Sequence, residues 1–280
     1  MLQQKAIVVG AGIVGLATAR ALAIKGFKVT VIDKTQEAIG ASIRNFGMLW
    51  PVGQPDGPLY NRAKRSKEIW IECLQGMKQS FNPCGSVHLA YFQDEWAVLE
   101  EMHTKFSSNN RPVQLFTASQ ITERFSGINS RKLIGGLYSD DEVIVDPRAA
   151  IKGLPAYLHA AYGVDFIWGT AITGVTKHKA SSFDKEFEAD IICVCSGADF
   201  ETLFPSIFKS LPITKSRLQM MRFKHKDPNF KIGASVCGGL SLLHYKSFTA
   251  SSALTKLRLK IEEEIPEYLK YGIHVMVSQN

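Results

Sequence analysis

Residues 5–33 read KAIVVGAGIVGLATARALAIKGFKVTVID, and this stretch decides the fold. Residues 5–9 are a short run rich in β-branched side chains, the composition of a strand. GAGIVG follows at once, from Gly10 to Gly15. The apolar spacing then turns helical through Val14, Ala17, Ala21 and Ile24, and Gly26 is a natural stop. A second strand, KVTVI at 28–32, ends in Asp33. Strand, glycine turn, helix, strand and acid make one complete βαβ unit with a dinucleotide-binding fingerprint. Gly10 permits the tight turn, Gly12 lets backbone approach a pyrophosphate, and Gly15 lets the helix lie close to the strand. The helix start offers free N–H groups to phosphates, and Asp33 can accept hydrogen bonds from an adenosine ribose. An acid there would repel the extra phosphate of NADP. A glycine-rich turn with no nucleotide is the bland alternative, and the strand–helix–strand–acid context argues against it.

Working outward, composition bounds the rest. The chain has 280 residues, 45% hydrophobic and 21% charged, so one large or two interleaved domains with a full core are expected, not a disordered, collagenous or coiled-coil chain. Its formal charge of +7 suits anionic ligands. The basic clusters at 64–67, 215–217 and 224–226 are short and separated, unlike the continuous stripe of a nucleic-acid binder. No apolar run reaches the roughly 18 residues of a membrane span. No secretory leader pattern precedes the first strand, so a cytoplasmic location is expected. Cys73, Cys84, Cys193, Cys195 and Cys237 form no CxxC pair and lack zinc-site spacing, so all five read as buried, reduced, small apolar residues, with no metal.

Beyond the fingerprint, residues 59–77 place apolar side chains on one helix face, SVHLAY (86–91) alternates as a strand, and Trp96, Leu99, Met102 and Phe106 stripe another helix. Thr117 with Gln120 is a capping box opening a short helix to about Phe125. Asp146-Pro147 opens a helix over about 147–161, followed by a strand at 164–168. DIICVCS (190–196) reads as a strand buried on both faces. Strands are also expected over 212–223, 238–245 and 273–277, and a helix from Leu254 to Ile265, stopped by Pro266.

KTQEAIGASIRNFG (34–47) separates a flavin from a nicotinamide reading. Here the sequence resembles the D-amino-acid oxidase and glycine oxidase type of FAD-dependent oxidoreductase, in which a small-residue segment after the ribose acid runs along the pyrophosphate and under the flavin. Gly40, Ala41, Ser42, Arg44, Asn45, Gly47 and Met48 match that pattern. The resemblance implies an α/β fold: a doubly wound, Rossmann-like FAD-binding domain (1–82 and 146–205) with an interleaved α+β substrate domain on a mostly antiparallel sheet (83–145 and 206–280). It implies cofactor contacts at Gly10, Gly12, Ile13, Val14, Gly15, Asp33, Lys34, Ser42, Arg44, Asn45, Gly47, Met48 and Gly197, and through the backbone near Ile172, where another strand and turn is the alternative. Substrate candidates are Trp50, Arg217, His244, Tyr245 and His274. ASIRNFGMLWPVGQ (41–54), LHYKSF (243–248) and GIHVMVSQ (272–279) resemble most closely a subgroup associated with aminophosphonate breakdown.

Members of this family continue past the position of Asn280 with a Gly-Asp motif and a helix that close over the flavin, so the resemblance also implies weakened flavin binding here. The activity implied is oxidation of a small primary or secondary amine, an amino acid or aminophosphonate, by hydride transfer to FAD, with oxygen or a carrier as acceptor. No catalytic acid or base is singled out, because such chemistry needs orientation and dryness more than proton transfer. GxSxG, HExxH, P-loop and EF-hand motifs are absent. An assembly of identical chains is compatible with all of this. Two other readings stay open: a dinucleotide-binding protein without turnover, and an NAD-dependent dehydrogenase.

Overall fold

In a computed structural model, which describes residues 3–216 and 218–279, the chain forms two compact units. The first is Met1–Asn45, Cys73–Gln79 and Pro147–Arg222; the second is Phe46–Glu72, Ser80–Asp146 and Phe223–Asn280. Residues 46–72 thus fall with the second unit and 206–222 with the first, unlike the expected domain boundaries.

The first unit is built on the βαβ motif. Strand β1 (Lys5–Val9), helix α1 (Ile13–Ile24) and strand β2 (Lys28–Ile32) follow one another as the sequence indicates. β1 and β2 pair in parallel at the centre of a four-stranded sheet, flanked by Ile191–Val194 beside β1 and Asp165–Ile167 beside β2, again in parallel. Ile7, Val9 and Ile32 meet Ala180 of a small antiparallel meander over residues 174–188, together with Ile172 and Ala189 at its two ends. Strand alternation turns Val8 to the other face, where Gly15 of α1 sits against it. The helix Pro147–Tyr162 packs on α1 and buries Ala150, Ile151, Leu154 and Leu158.

The second unit centres on a five-stranded sheet in the order Met276–Val277, Ser235–Cys237, Ser86–Ala90, Gly135–Ser139 and Val113–Thr117. Every pairing is antiparallel except Ser235–Cys237 with Ser86–Ala90. The stripe Val98, Leu99, Met102 and Phe106 of helix Gln93–Ser108 packs with Leu254, Leu257 and Ile261 of helix Leu254–Glu264 over Ala90 and Leu137. Val87, Leu89, Phe116 and Tyr138 form a second cluster with Ile121 and Phe125. The Thr117–Gln120 capping box is present in both directions. A three-stranded sheet of Met48–Leu49, Val143–Val145 and Phe81–Asn82 carries the chain into Trp50.

Several sequence expectations are corrected. Ile191–Val194 is the outer strand of its sheet among the described residues, and its side chains are half-buried with Val194 exposed; an apolar run alone does not tell a central from an edge strand. Within 212–223 the described residues form no strand, and Leu218, Met221 and Phe223 are well exposed. An extended segment becomes a strand only when a neighbour completes its ladder, and none does so there. The expected strand at 238–245 is instead a short helix, Leu240–His244, following strand Ser235–Cys237. Gly238-Gly239 ends the ladder, and an apolar run this short fits either period. Only Met276–Val277 of 273–277 pairs. Pro266 does more than stop a helix, since it opens Pro266–Lys270. Cys84, Cys193 and Cys195 are half-buried while Cys73 and Cys237 are buried, and none of the five forms a disulfide among the described residues. Among the described residues no helix is long and apolar enough to cross a membrane.

Candidate active site

The glycine turn of the first unit owes its shape to crowding. Gly10 has a φ of 106°, and a Cβ there would lie 2.3 Å from the Cys195 carbonyl oxygen. A Cβ on Gly15 would lie 1.8 Å from the Gly10 carbonyl oxygen, so α1 can start this close to β1 only as glycine. Gly12 caps α1 in extended conformation, and its missing Cβ leaves a gap facing the Ser42 hydroxyl 3.1 Å away. That hydroxyl accepts the Ile13 N–H at 3.0 Å. Val14 and Gly15, in the same first turn, have no preceding helical carbonyl to bond, which leaves their N–H groups aimed outward.

Asp33 stands where the fingerprint requires. Its Oδ2 accepts the Ala11 N–H at 2.7 Å, and its Oδ1 accepts the N–H and the hydroxyl of Thr35, each at 2.8 Å. A carboxylate has about four acceptor positions, so capacity remains for a ribose hydroxyl. Lys34 pairs with Asp199 at 2.6 Å, just past Gly197. Burial alone would raise the Asp199 carboxyl, but the bonds from Lys34 and Thr202 outweigh it and hold it well below the usual range. Asn45 donates to the carbonyls of Ala41 (3.3 Å) and Ser42 (2.9 Å), stapling the short turn Ala41–Ile43 that presents Ser42. Arg44 is exposed, and the side chain of Ile172 is core, leaving only its backbone for a ligand. Gly47 and Met48 belong to the second unit, and Arg217 lies outside the described residues.

A cavity of about 560 Å³ opens beside the turn, lined by Ala11, Gln36, Glu37, Lys152, Phe166 and Trp168 among others. Phe166 and Trp168 stack with centroids 5.5 Å apart and planes 9° apart, giving it a flat aromatic wall. Their spacing of two along a strand was the available sequence signal.

The second unit gathers four of the five substrate candidates. Trp50 and Tyr245 have ring centroids 5.8 Å apart, Tyr245 and His274 6.1 Å, and His244 stacks on His274 at 4.1 Å. These residues come from three separate segments: the end of Met48–Leu49, the end of Leu240–His244, and the approach to Met276–Val277. Gly53 lets the rings close, since a Cβ would fall 2.6 Å from Trp50 and 2.8 Å from Tyr245. Tyr245 donates to the Met276 sulfur at 3.0 Å, and burial raises its pKa. Burial and the neighbouring His274 both lower the pKa of His244, so the stacked pair resists carrying two protons.

Two buried polar residues behind this wall escaped sequence reasoning. His88 is 1% exposed, touches Trp50 and Phe248, and has no partner for either ring nitrogen among the described residues. Burial pulls it down to about 3, so it is neutral. Glu142 is fully buried, and burial pushes it up to about 7. Alternation in SVHLAY places Ser86, His88 and Ala90 on one face, but which face is covered depends on segments far away in the chain. No group of three or more potential metal ligands occurs among the described residues.

A parallel βαβ sheet with this glycine turn and ribose acid defines a Rossmann-type dinucleotide-binding protein. More narrowly, the chain belongs to the DAO family of FAD dependent oxidoreductases, whose family model matches residues 5–247. Among its relatives is the tRNA 5-methylaminomethyl-2-thiouridine biosynthesis bifunctional protein MnmC of Methylobacillus flagellatus, 26% identical over 83% of this chain and 36% of that protein. The glycine oxidase of Geobacillus kaustophilus superposes with a TM-score of 0.61 at 22% identity, over 70% of this chain and 56% of the oxidase. An L-amino acid deaminase of Proteus vulgaris superposes with a TM-score of 0.64 at 19% identity, over 73% and 56% respectively. The chain therefore spans about a third of the curated relative and about half of each solved neighbour. FAD, not NAD, is the cofactor of this family. The residues present fit it: the gap at Gly12 would be filled by any Cβ, and Asp33 keeps acceptor capacity beside it.

Proposed function

We propose that this chain holds FAD in its first unit and takes part in oxidising a small anionic amine, an amino acid or an aminophosphonate. In this reading the backbone at Gly12, Ile13, Val14 and Gly15, with Ser42, receives the pyrophosphate, and Asp33 receives the ribose. Gly10 and Gly197 shape the turns, Lys34, Arg44 and Asn45 border the nucleotide, and Ile172 offers its backbone to the adenine. Bound FAD would supply the hydride acceptor for the carbon bearing the amine, and water would hydrolyse the resulting imine.

One observation carries the substrate half: Trp50, His244, Tyr245 and His274 converge from three segments onto one aromatic wall. Such a wall orients a small substrate and excludes water. The ring N–H groups of the stacked imidazoles can donate hydrogen bonds to a carboxylate or phosphonate, in keeping with the net charge of +7. Exposing the purified protein without oxygen to glycine, sarcosine, D-alanine and 2-aminoethylphosphonate tests the reading. Bleaching of the flavin by one of them supports it, and reoxidation by air or only by an added carrier identifies the acceptor. Replacing His274 by Ala should raise KM about tenfold with little change in kcat, as loss of a hydrogen bond worth about 1.4 kcal/mol requires. Failure of every amine to bleach a fully loaded flavin would sink the amine reading.

A further inference from the structure

Glu142 sits wholly inside the second unit and forms no salt bridge among the described residues. Its Oε1 accepts the Val52 N–H at 2.8 Å and its Oε2 accepts the Ser86 hydroxyl at 2.8 Å, with the Ser139 hydroxyl a third donor. Val52 is the middle of the turn Pro51–Gly53, and Trp50 is the residue that caps it. Gly53, at the other end, lies against both Trp50 and Tyr245. One carboxyl thus grips the backbone of the turn that sets Trp50 against Tyr245.

The surroundings make that grip sensitive to a proton. Desolvation favours the neutral acid, the bonds from Ser139, Val52 and Ser86 favour the ion, and Asp141 next to it again favours the acid. The other titratable or charged groups that feel it are Tyr60, Cys84, Arg111 and Cys237. Ionised, the carboxylate holds the Val52 N–H through a charge-assisted bond, roughly twice as strong as a neutral one. Protonated, it must turn one oxygen into a donor towards Ser86 or Ser139, and the bond to Val52 reverts to a neutral one.

We propose that Glu142 is a positioning residue, a proton-operated clamp that holds Trp50 against Tyr245 when ionised and loosens the wall when protonated. The clamp is a property of the folded chain, and its effect on substrates rests on the amine reading above.

The test is the part of the tryptophan emission that wild type has and Trp50→Phe lacks, followed from about pH 5 to about pH 9. Wild type should show a transition centred near 7, and Glu142→Gln, which keeps an acceptor for Val52 but cannot ionise, should show none. Ser139→Ala removes a bond that favours the ion and should move the midpoint upward, so the clamp is testable even where Glu142→Gln fails to fold. His244→Asn and His274→Asn should leave the transition in place. In turnover, the ratio of wild-type to Glu142→Gln KM should rise about threefold between about pH 8 and about pH 6. A flat wild-type profile, a transition that survives in Glu142→Gln, or one abolished by His274→Asn overturns the clamp. If the emission transition behaves as expected while no amine bleaches the flavin, the clamp stands and the amine reading falls; the reverse pattern removes the clamp alone.

Discussion

Single residues carry the sharpest expectations. Gly12→Leu would fill the gap before Ser42, so the purified variant should retain no FAD while folding normally, as measured by flavin released per chain. Gly15→Val differs in kind, because its Cβ would meet the Gly10 carbonyl at 1.8 Å and backbone cannot step aside cheaply. It should cost roughly 1–3 kcal/mol in urea denaturation, the range for overpacking. Two buried titratable residues give stability a pH dependence of opposite signs. Glu142 binds its proton more tightly folded (about 7) than unfolded (ordinary value 4.5), so its contribution falls as pH rises through that window. His88, lowered from 6.5 to about 3, binds its proton less tightly folded, so its contribution falls as pH drops below 6.5. Relative to wild type, Glu142→Gln should gain about 3 kcal/mol between pH 4.5 and 8, because each tenfold difference in proton affinity between folded and unfolded chain is worth about 1.4 kcal/mol. The glycines and Asp33 were legible because their spacing alone states a geometry. Glu142 and His88 were not, since their burial is imposed by Val52, Phe248 and Trp50, remote in sequence.

At the scale of elements, what was legible is what repeats over a long enough window. The βαβ unit, the stripe of Gln93–Ser108 and the helix Leu254–Glu264 each show several matches to one period. Capping chemistry was equally readable: Thr117 and Gln120 bond each other's backbone as the sequence predicts. Replacing Thr117 by Ala should therefore cost about 1 kcal/mol, a modest fall in melting temperature, with no effect on cofactor content. Where the reading failed, local pattern had no power to decide. Leu240, Leu242 and Leu243 suit a helix as well as a strand, and the alternating residues around Met220 suit a strand for which no partner is present among the described residues. The four substrate candidates were legible singly as aromatic and imidazole side chains, but their meeting depends on a five-stranded sheet order that no local window contains.

For the molecule as a whole, the account rests on a parallel sheet with a glycine turn in one unit and an aromatic wall in the other. Membership of the FAD dependent oxidoreductase family ties the first of these to a cofactor. The central claim is that this chain, which spans about half of each solved neighbour, holds FAD. The measurement that tests it most directly is the visible absorption spectrum of the purified protein, with the cofactor then released by heat and identified by mass. The account predicts the two-band spectrum of oxidised flavin and about one FAD per chain. A colourless protein that takes up no added FAD, or one that releases a nicotinamide nucleotide, would contradict it.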